Sequence, residues 1–327
     1  MQAIYKRVGQ AMEKIIIRNF KPEDVARVHE LDKKYKSVFP DSPVVQAEVY
    51  NSPEFEEGRN VFCAFNEEGA LAGYAAIYPV LAENGSGYPN VLWAEMKVDP
   101  DFQSKGQLRD LLYDKMMVRA AEIRNGAPVK DTKICFCYFT TETESIDYLL
   151  SKEFKACDGI YSMVRDLGEP INDTAVPEGL EIIEWRMETR EEKDRYIDAY
   201  NTVFPEKPWN VEGLEYFMKS DMWIDGTTIT AFSGTGIAGS IMLYWSPDRK
   251  TEHGKRQAFT ENIFVMPQWR NKGLGSCLIG KGLSYLVKHG AGTALLEVRT
   301  NNIKALDIYI RMGYRIAKEQ KVLEYSI

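Results

Sequence analysis

Short apolar runs alternate along this chain with longer segments whose apolar positions recur at helical spacing. Ile15-Ile16-Ile17-Arg18-Asn19-Phe20 reads as a strand. Lys21-Pro22-Glu23-Asp24 then marks a helix start, with proline and acids in the first turn, and Val25, Val28, His29 and Leu31 follow at helical spacing. In the second half, Leu180-Glu181-Ile182-Ile183-Glu184-Trp185 repeats the strand, with a charged helix after it. Ile263-Phe264-Val265 is a buried strand that Pro267 ends, because proline cannot donate to the ladder. Ser276-Cys277-Leu278-Ile279 opens a helix predicted from about Gly275 to Lys288, closed by His289-Gly290 as a glycine cap. Ala294-Leu295-Leu296-Glu297-Val298 is the next strand.

The loop between that strand and helix carries the most chemistry. It reads Val265-Met266-Pro267-Gln268-Trp269-Arg270-Asn271-Lys272-Gly273-Leu274-Gly275. Glycines let the backbone approach a ligand closely, and free amides at a helix start bind phosphate. Arg270 and Lys272 add positive charge, so the loop suits a pyrophosphate. A P-loop requires Lys-Ser/Thr after its last glycine, and a dinucleotide loop requires a third glycine. Both are missing here. The alternative is a plain Gly-rich strand-to-helix turn.

The remaining pattern, Val-x-Pro-x-x-Arg-x-x-Gly-x-Gly, resembles the coenzyme A loop of the GNAT N-acetyltransferase superfamily. Asn302-Ile303-Lys304-Ala305-Leu306-Asp307-Ile308-Tyr309-Ile310-Arg311-Met312-Gly313-Tyr314 resembles its second signature, with Ile308 and Tyr314 as substitutions. The chain also repeats loosely at about 165 residues, a period of tandem domains rather than a solenoid. Val38-Phe39-Pro40 returns as Val203-Phe204-Pro205, and Val98-Asp99-Pro100 as Val265-Met266-Pro267. Glu144-Ser145-Ile146-Asp147-Tyr148 lines up with Lys304-Ala305-Leu306-Asp307-Ile308. The expected fold is α/β (α+β): two tandem GNAT domains, each a mixed, mostly antiparallel sheet flanked by helices. The Pro- and Gly-bearing stretch divides the chain into a degenerate domain 1–168, a linker 169–179 and a catalytic domain 180–327. In the first copy Gln103 replaces the loop arginine, Leu149 replaces Tyr309 and Glu153 replaces Gly313. Leu108 aligns with Gly275, where its side chain is expected to crowd the phosphates. That half is expected to bind coenzyme A weakly or not at all. The alternative is residual binding, since Lys105-Gly106 and a helix start survive.

The length of 327 residues fits two domains, and 44% apolar content fits a full core. No stretch reaches 18 consecutive apolar residues, so no membrane partner is expected. The first ten residues read as a loose leader without a signal-peptide core, and Met12 is an alternative start. Five cysteines without a secretory signal point to reducing cytoplasm, with Cys135 and Cys137 sharing a strand face. The three histidines are scattered, so no metal is expected. A net charge of −7 disfavours nucleic acid and is compatible with a cationic acceptor. A monomer or homodimer is expected.

The resemblance implies acetyl-CoA as cosubstrate and a small-molecule or peptide amine as acceptor. Such an amine, with a pKa of about 10.4, must lose a proton before it attacks. The thioester oxygen needs a donor and the thiolate an acid. By resemblance, amides at Phe264, Val265 and Met266 serve the carbonyl and the pantetheine. Amides of Arg270, Asn271, Lys272, Gly273, Leu274 and Gly275 serve the phosphates, and Asn302 the pantetheine arm or nearby backbone. Tyr309 matches the family's acid; the alternative is a tyrosine packed on the sheet. Glu261 shares a strand face with Ile263 and Val265 by period two and is the candidate base; the alternative is a solvated strand-end glutamate. Glu297 is a reserve. Trp209, Tyr216, Phe217, Trp223 and Tyr244 are pocket or core aromatics, and Ser246 to Gly254 is expected as a loop over the site. Competing functions are a coenzyme A-binding regulatory protein without turnover, and an acyl or aminoacyl transferase with another donor.

Overall fold

A computed structural model describes residues 15–172, 174–205, 208–250 and 254–327, without the side chains of 54 and 246–250. The first-ten-residue leader and Met12 lie outside these residues. Two compact units divide the chain: residues up to Asp158 with Gln320–Ile327, and Gly159–Glu319.

In the first unit the elements are β1 (Ile16–Asn19), α1 (Val25–Val38), β2 (Val61–Phe65), β3 (Leu71–Val80), β4 (Asn90–Val98), α2 (Lys105–Gly126), β5 (Thr132–Phe139) and α3 (Thr143–Ser151). Strands β1 to β5 lie in sequence order, antiparallel except for the parallel pair β4–β5. Every residue of β2 is buried, because helices cover both faces of its sheet. Leu108, Leu112 and Met116 of α2 pack on one face with Leu92 and Phe136. On the other face Val28 and Leu31 of α1 pack with Tyr50 and Tyr74.

The second unit follows the same plan, opening inside β6 (Lys155–Asp166). It adds β7 (Glu181–Trp185), α4 (Arg190–Val203), α5 (Val211–Met218), β8 (Thr227–Ser233), β9 (Gly236–Lys250), β10 (Arg256–Val265), α6 (Leu274–Lys288), β11 (Ala291–Arg299) and α7 (Ile303–Arg311). It ends inside β12 (Arg315–Ser326). Strands β7 to β11 run antiparallel except for the parallel pair β10–β11. Thr189 and Glu192 form a reciprocal capping box that starts α4, a device that stabilises a helix by about 1 kcal/mol. Helix α6 begins and ends within a residue of the sequence expectation, with Gly290 beyond its end at φ +81°.

The fold class agrees with the expectation, but the units divide elsewhere than at 168 and 180. Ile160 to Asp166 of β6 run antiparallel to Arg299–Thr293 of β11, completing the second sheet. Gln320 to Ser326 of β12 run antiparallel to β5, completing the first. Each copy's last strand therefore serves the other copy's sheet. Residues of the expected linker also pack into the second unit. Arg165 is 2% exposed, and its guanidinium donates to Glu169 Oε2 at 2.7 Å and to the Pro170 carbonyl at 2.7 Å. Asn172 Nδ2 donates to the Arg311 carbonyl at 3.3 Å. A buried cation requires such acceptors, so composition alone misread this stretch as a tether.

Candidate active site

The site begins with a fault in strand β10. Its register against β9 pairs Glu261 with Met242, but Phe264 with Ser240, so β10 carries one extra residue. Asn262 takes that position at φ +48°, where asparagine is tolerated better than most residues. On its other side β10 pairs with β11 only from Arg256 to Phe259, although both strands continue. A gap opens between them beyond Phe259.

Ladder phase then decides which amides serve this gap. The Met266 amide donates to the Ala238 carbonyl at 2.9 Å. In an antiparallel pair the bonds alternate, so the Phe264 amide turns toward Ser240 and the Val265 amide away from β9, into the gap. Of the three amides expected to serve a ligand, Val265 alone has this direction. Phe264 and Met266 are corrected to ladder donors.

The glycine loop continues from Val265. Asn271 has φ +60° and Gly273 φ +81°, a left-handed pair that folds the chain into the start of α6. Leu274 is 1% exposed and pins that start to the core. The first bond there runs from the Cys277 amide to the Gly273 carbonyl at 3.0 Å. First-turn amides have no intrahelical acceptor, so those of Leu274 and Gly275 point out of the helix end. A Cβ on Gly275 would come no closer than 3.9 Å to Val265 and Ile308. The Arg270 amide is already engaged, donating to Pro267 at 3.3 Å, while its Nε holds the Val265 carbonyl at 3.1 Å. Lys272 Nζ lies 4.8 Å over the Trp269 ring. Arg270 thus brings its side chain, rather than its amide, to this loop.

Tyr309 lies in α7 and is 9% exposed, packed 6.0 Å from the Tyr314 ring. Burial first, and then the charge of Glu261, pushes its phenol up to about 12. Its hydroxyl has no hydrogen-bond partner among the described residues. Glu261 is half-buried and accepts the Tyr244 hydroxyl at 2.6 Å. The Tyr244 phenol is raised far above its usual range by burial, then by Glu261, with Glu297 also contributing. Glu297 itself is exposed and accepts from Ser162 Oγ at 3.2 Å. Asn302 caps α7, its Oδ1 accepting from the Ala305 amide at 3.3 Å.

Beside Glu261 lies a cavity of about 270 Å³, lined by Tyr200, Pro208, Trp209, Phe217, Tyr244 and Asn262 as well. Three of the five expected aromatics line it. Tyr216 is 82% exposed, and Trp223 is buried within the core beneath. Tyr200 and Asn262 were missed by sequence reasoning. The expected loop from Ser246 is also corrected: β9 extends through Lys250, and 251–253 lie outside the described residues.

The first unit differs at the matching positions. Its β3–β4 register runs unbroken from Gly73–Val98 to Val80–Val91, so β4 has no bulge. Its β4–β5 pairing also stops, at Ala94, but Tyr138 of β5 reaches over and donates to the Met96 carbonyl at 2.9 Å. The matching residue in the second unit, counted from the two parallel registers, is Val298. The alignment of Leu108 with Gly275 is also corrected. A Cβ on Gly73 would meet Leu112 at 3.2 Å, and one on the matching Gly239 would meet Leu278 at 3.1 Å. The first loop is therefore one residue longer, and Leu108 matches Leu274, both buried. Arg109 matches Gly275, and its guanidinium bonds Glu144 at 3.1 Å. A salt bridge, rather than a leucine, stands in the phosphate approach.

A bulged strand, a separating neighbour and a glycine loop opening a helix define the second unit as a GNAT domain, and the chain has a tandem GNAT fold. The acetyltransferase (GNAT) family model matches residues 183–314. Among characterised relatives, the chain is 25% identical over 137 residues to mycothiol acetyltransferase of Corynebacterium glutamicum (strain R), covering 40% of this chain. The alignment spans 44% of that relative's length. A GCN5-related N-acetyltransferase from Sphaerobacter thermophilus superposes with a TM-score of 0.72 at 17% identity, covering 95% of each chain. A tandem GNAT protein from the clavulanic acid biosynthesis pathway gives 0.68 at 12% identity, covering 96% of this chain and 98% of its own.

Proposed function

We propose that the second unit is an N-acetyltransferase that uses acetyl-CoA and a primary amine. The observation that carries this reading is the gap beyond Phe259, with the Val265 amide turned into it. The family match and the mycothiol acetyltransferase relative support acetyl transfer; the partial alignment leaves the acceptor to be argued from this chain.

Acetyl-CoA supplies a thioester, whose acetyl carbon accepts the amine nitrogen as the carbon–sulfur bond breaks. The Val265 amide stabilises negative charge on the carbonyl oxygen. Glu261, directly or through water, takes the proton that the ammonium must lose. Tyr309 is held protonated far above neutral pH; its phenol gives a proton to the departing thiolate and regains one from the nitrogen, which must shed a second proton as the amide forms. Arg270 and the amides at the start of α6 hold the pyrophosphate, and Asn302 orients the arm between.

Acetyl-CoA binding by thermal shift, followed by thiol release across an amine panel, tests the reading. Stabilisation with amine-dependent thiol release is expected. Binding without release would instead support a coenzyme A-binding regulatory protein, which the eroded first copy favours. No binding would point to a transferase with another acyl donor.

A further inference from the structure

The cavity beside Glu261 has an uneven chemistry. Tyr200, Trp209, Phe217 and Tyr244 form a continuous series of rings along it. Their centroids are separated by 6.0 Å, 6.2 Å and 5.0 Å in that order. Among the described residues that line it, Glu261 is the one charged side chain. The Tyr244 hydroxyl, which would otherwise offer a donor, is committed to Glu261 Oε2 at 2.6 Å. The Asn262 amide contacts Met242 Sδ at 3.5 Å rather than a stronger acceptor.

We infer that this cavity selects the acceptor as a monocation on a small apolar body: a primary ammonium attached to an aryl or short alkyl chain. The inference rests on the acetyltransferase reading only in treating the bound amine as the acceptor. Ring faces attract cations, and attract them more strongly where water is excluded. The Glu261 carboxylate adds to that attraction and repels a second carboxylate or a phosphate. A sugar would bring several hydroxyls against a mainly aromatic wall, and each unreplaced hydrogen bond to water counts against binding. Size points the same way, because about 270 Å³ falls just below the range of pockets that hold drug-sized ligands. A single ring with a two-carbon arm is within its reach.

This role differs from the one Glu261 has in proton transfer. The same carboxylate first meets a cation and then removes its proton, so acceptor choice and base catalysis share one group. No second anionic group on the acceptor is accommodated beside it.

Isothermal titration of the full chain, without acetyl-CoA, tests the inference with three probes that share a phenyl ring and a two-carbon arm. These are phenethylammonium, 2-phenylethanol and 3-phenylpropionate. The ammonium is expected to bind about 10-fold or more tightly than the alcohol. The carboxylate is expected to give no measurable heat. Trp209→Leu is expected to weaken ammonium binding several-fold, and Phe217→Leu replaces it if the first variant does not fold. The comparison of probes on the unaltered protein decides the matter without either variant. Equal binding of the three, or preference for the carboxylate, overturns the inference. Ammonium binding without any thiol release from acetyl-CoA overturns the acetyltransferase reading and leaves the cation pocket standing. Thiol release that favours amino sugars or amino acids over phenethylamine overturns the pocket inference and leaves that reading intact.

Discussion

The charge of Glu261 reaches the buried phenol of Tyr309 and disfavours its ionisation. Burial contributes most, the Glu261 charge adds to it, and together they raise the phenol to about 12. The two groups come from different elements, β10 and α7.

Tyr309→Phe is expected to lower kcat roughly 10²–10⁴-fold, the usual contribution of a positioned acid. Coenzyme A affinity by calorimetry should stay within about twofold of the parent, since the phenol is no phosphate ligand. Unchanged kcat removes Tyr309 from the acid role.

The same shift has a sign for stability. Free tyrosine loses its proton near 10, while folded Tyr309 keeps it to about 12. Between these values the folded state binds more protons than the unfolded state, so stability falls as pH rises. Tyr309→Phe should flatten the decline in Tm above pH 10, after comparison with a Tyr216→Phe control on an exposed ring. An identical decline in both variants contradicts the shift.

Glu261→Gln keeps the shape of the site and removes the base. Turnover near neutral pH should fall roughly 10²–10⁴-fold. Tyr244→Phe removes only the 2.6 Å hydrogen bond to Glu261, so a smaller loss of turnover is expected. A Tyr244→Phe effect equal to that of Glu261→Gln would mean that the tyrosine itself handles the proton.

Val298→Tyr carries the first unit's closure into the second. A phenol placed there should cross the gap as Tyr138 does and abolish coenzyme A binding, read by thermal shift with acetyl-CoA. Gly275→Arg should have the same effect by placing a cation in the phosphate approach, as Arg109 does. Gly275→Ala is a control, because its Cβ meets nothing within 3.9 Å; the helix should gain up to about 1 kcal/mol. Normal affinity in Val298→Tyr would show that the gap is not the path of the coenzyme.

Gly313→Ala should destabilise the second unit by about 1–3 kcal/mol in urea unfolding. Gly313 has φ +85°, and an added Cβ would lie 2.6 Å from Arg165 Nε, which is fixed by its bond to Met312 at 3.0 Å. The first copy already bears the backbone part of this strain in Glu153, at φ +68°. Glu153→Gly should therefore stabilise by several tenths of a kcal/mol to about 1 kcal/mol. Opposite signs at the two matched positions are the expected result.

The sequence was most legible where local chemistry is demanding. A left-handed turn into a helix requires glycine or asparagine, so the loop from Val265 to Gly275 could be read directly. The bounds of α6 followed from apolar spacing and Gly290. Three features escaped. The bulge left only one sign, an asparagine amid strand residues at 262. The longer first loop shifted Arg109 onto Gly275, and a two-copy alignment cannot see a one-residue gap beside a tolerant turn. The exchange of β6 and β12 was invisible because an alternating strand carries the same pattern whichever sheet receives it.

That exchange also bears on how the duplicated chain can change over time. The second sheet needs Ile160–Asp166, which are encoded at the end of the first copy. The first sheet needs the last strand of the second copy. A deletion that discards the first copy would strip the second sheet of a strand. Point substitutions can alter either half, but neither can be dropped as a block, so each copy is retained as an obligatory part of the gene.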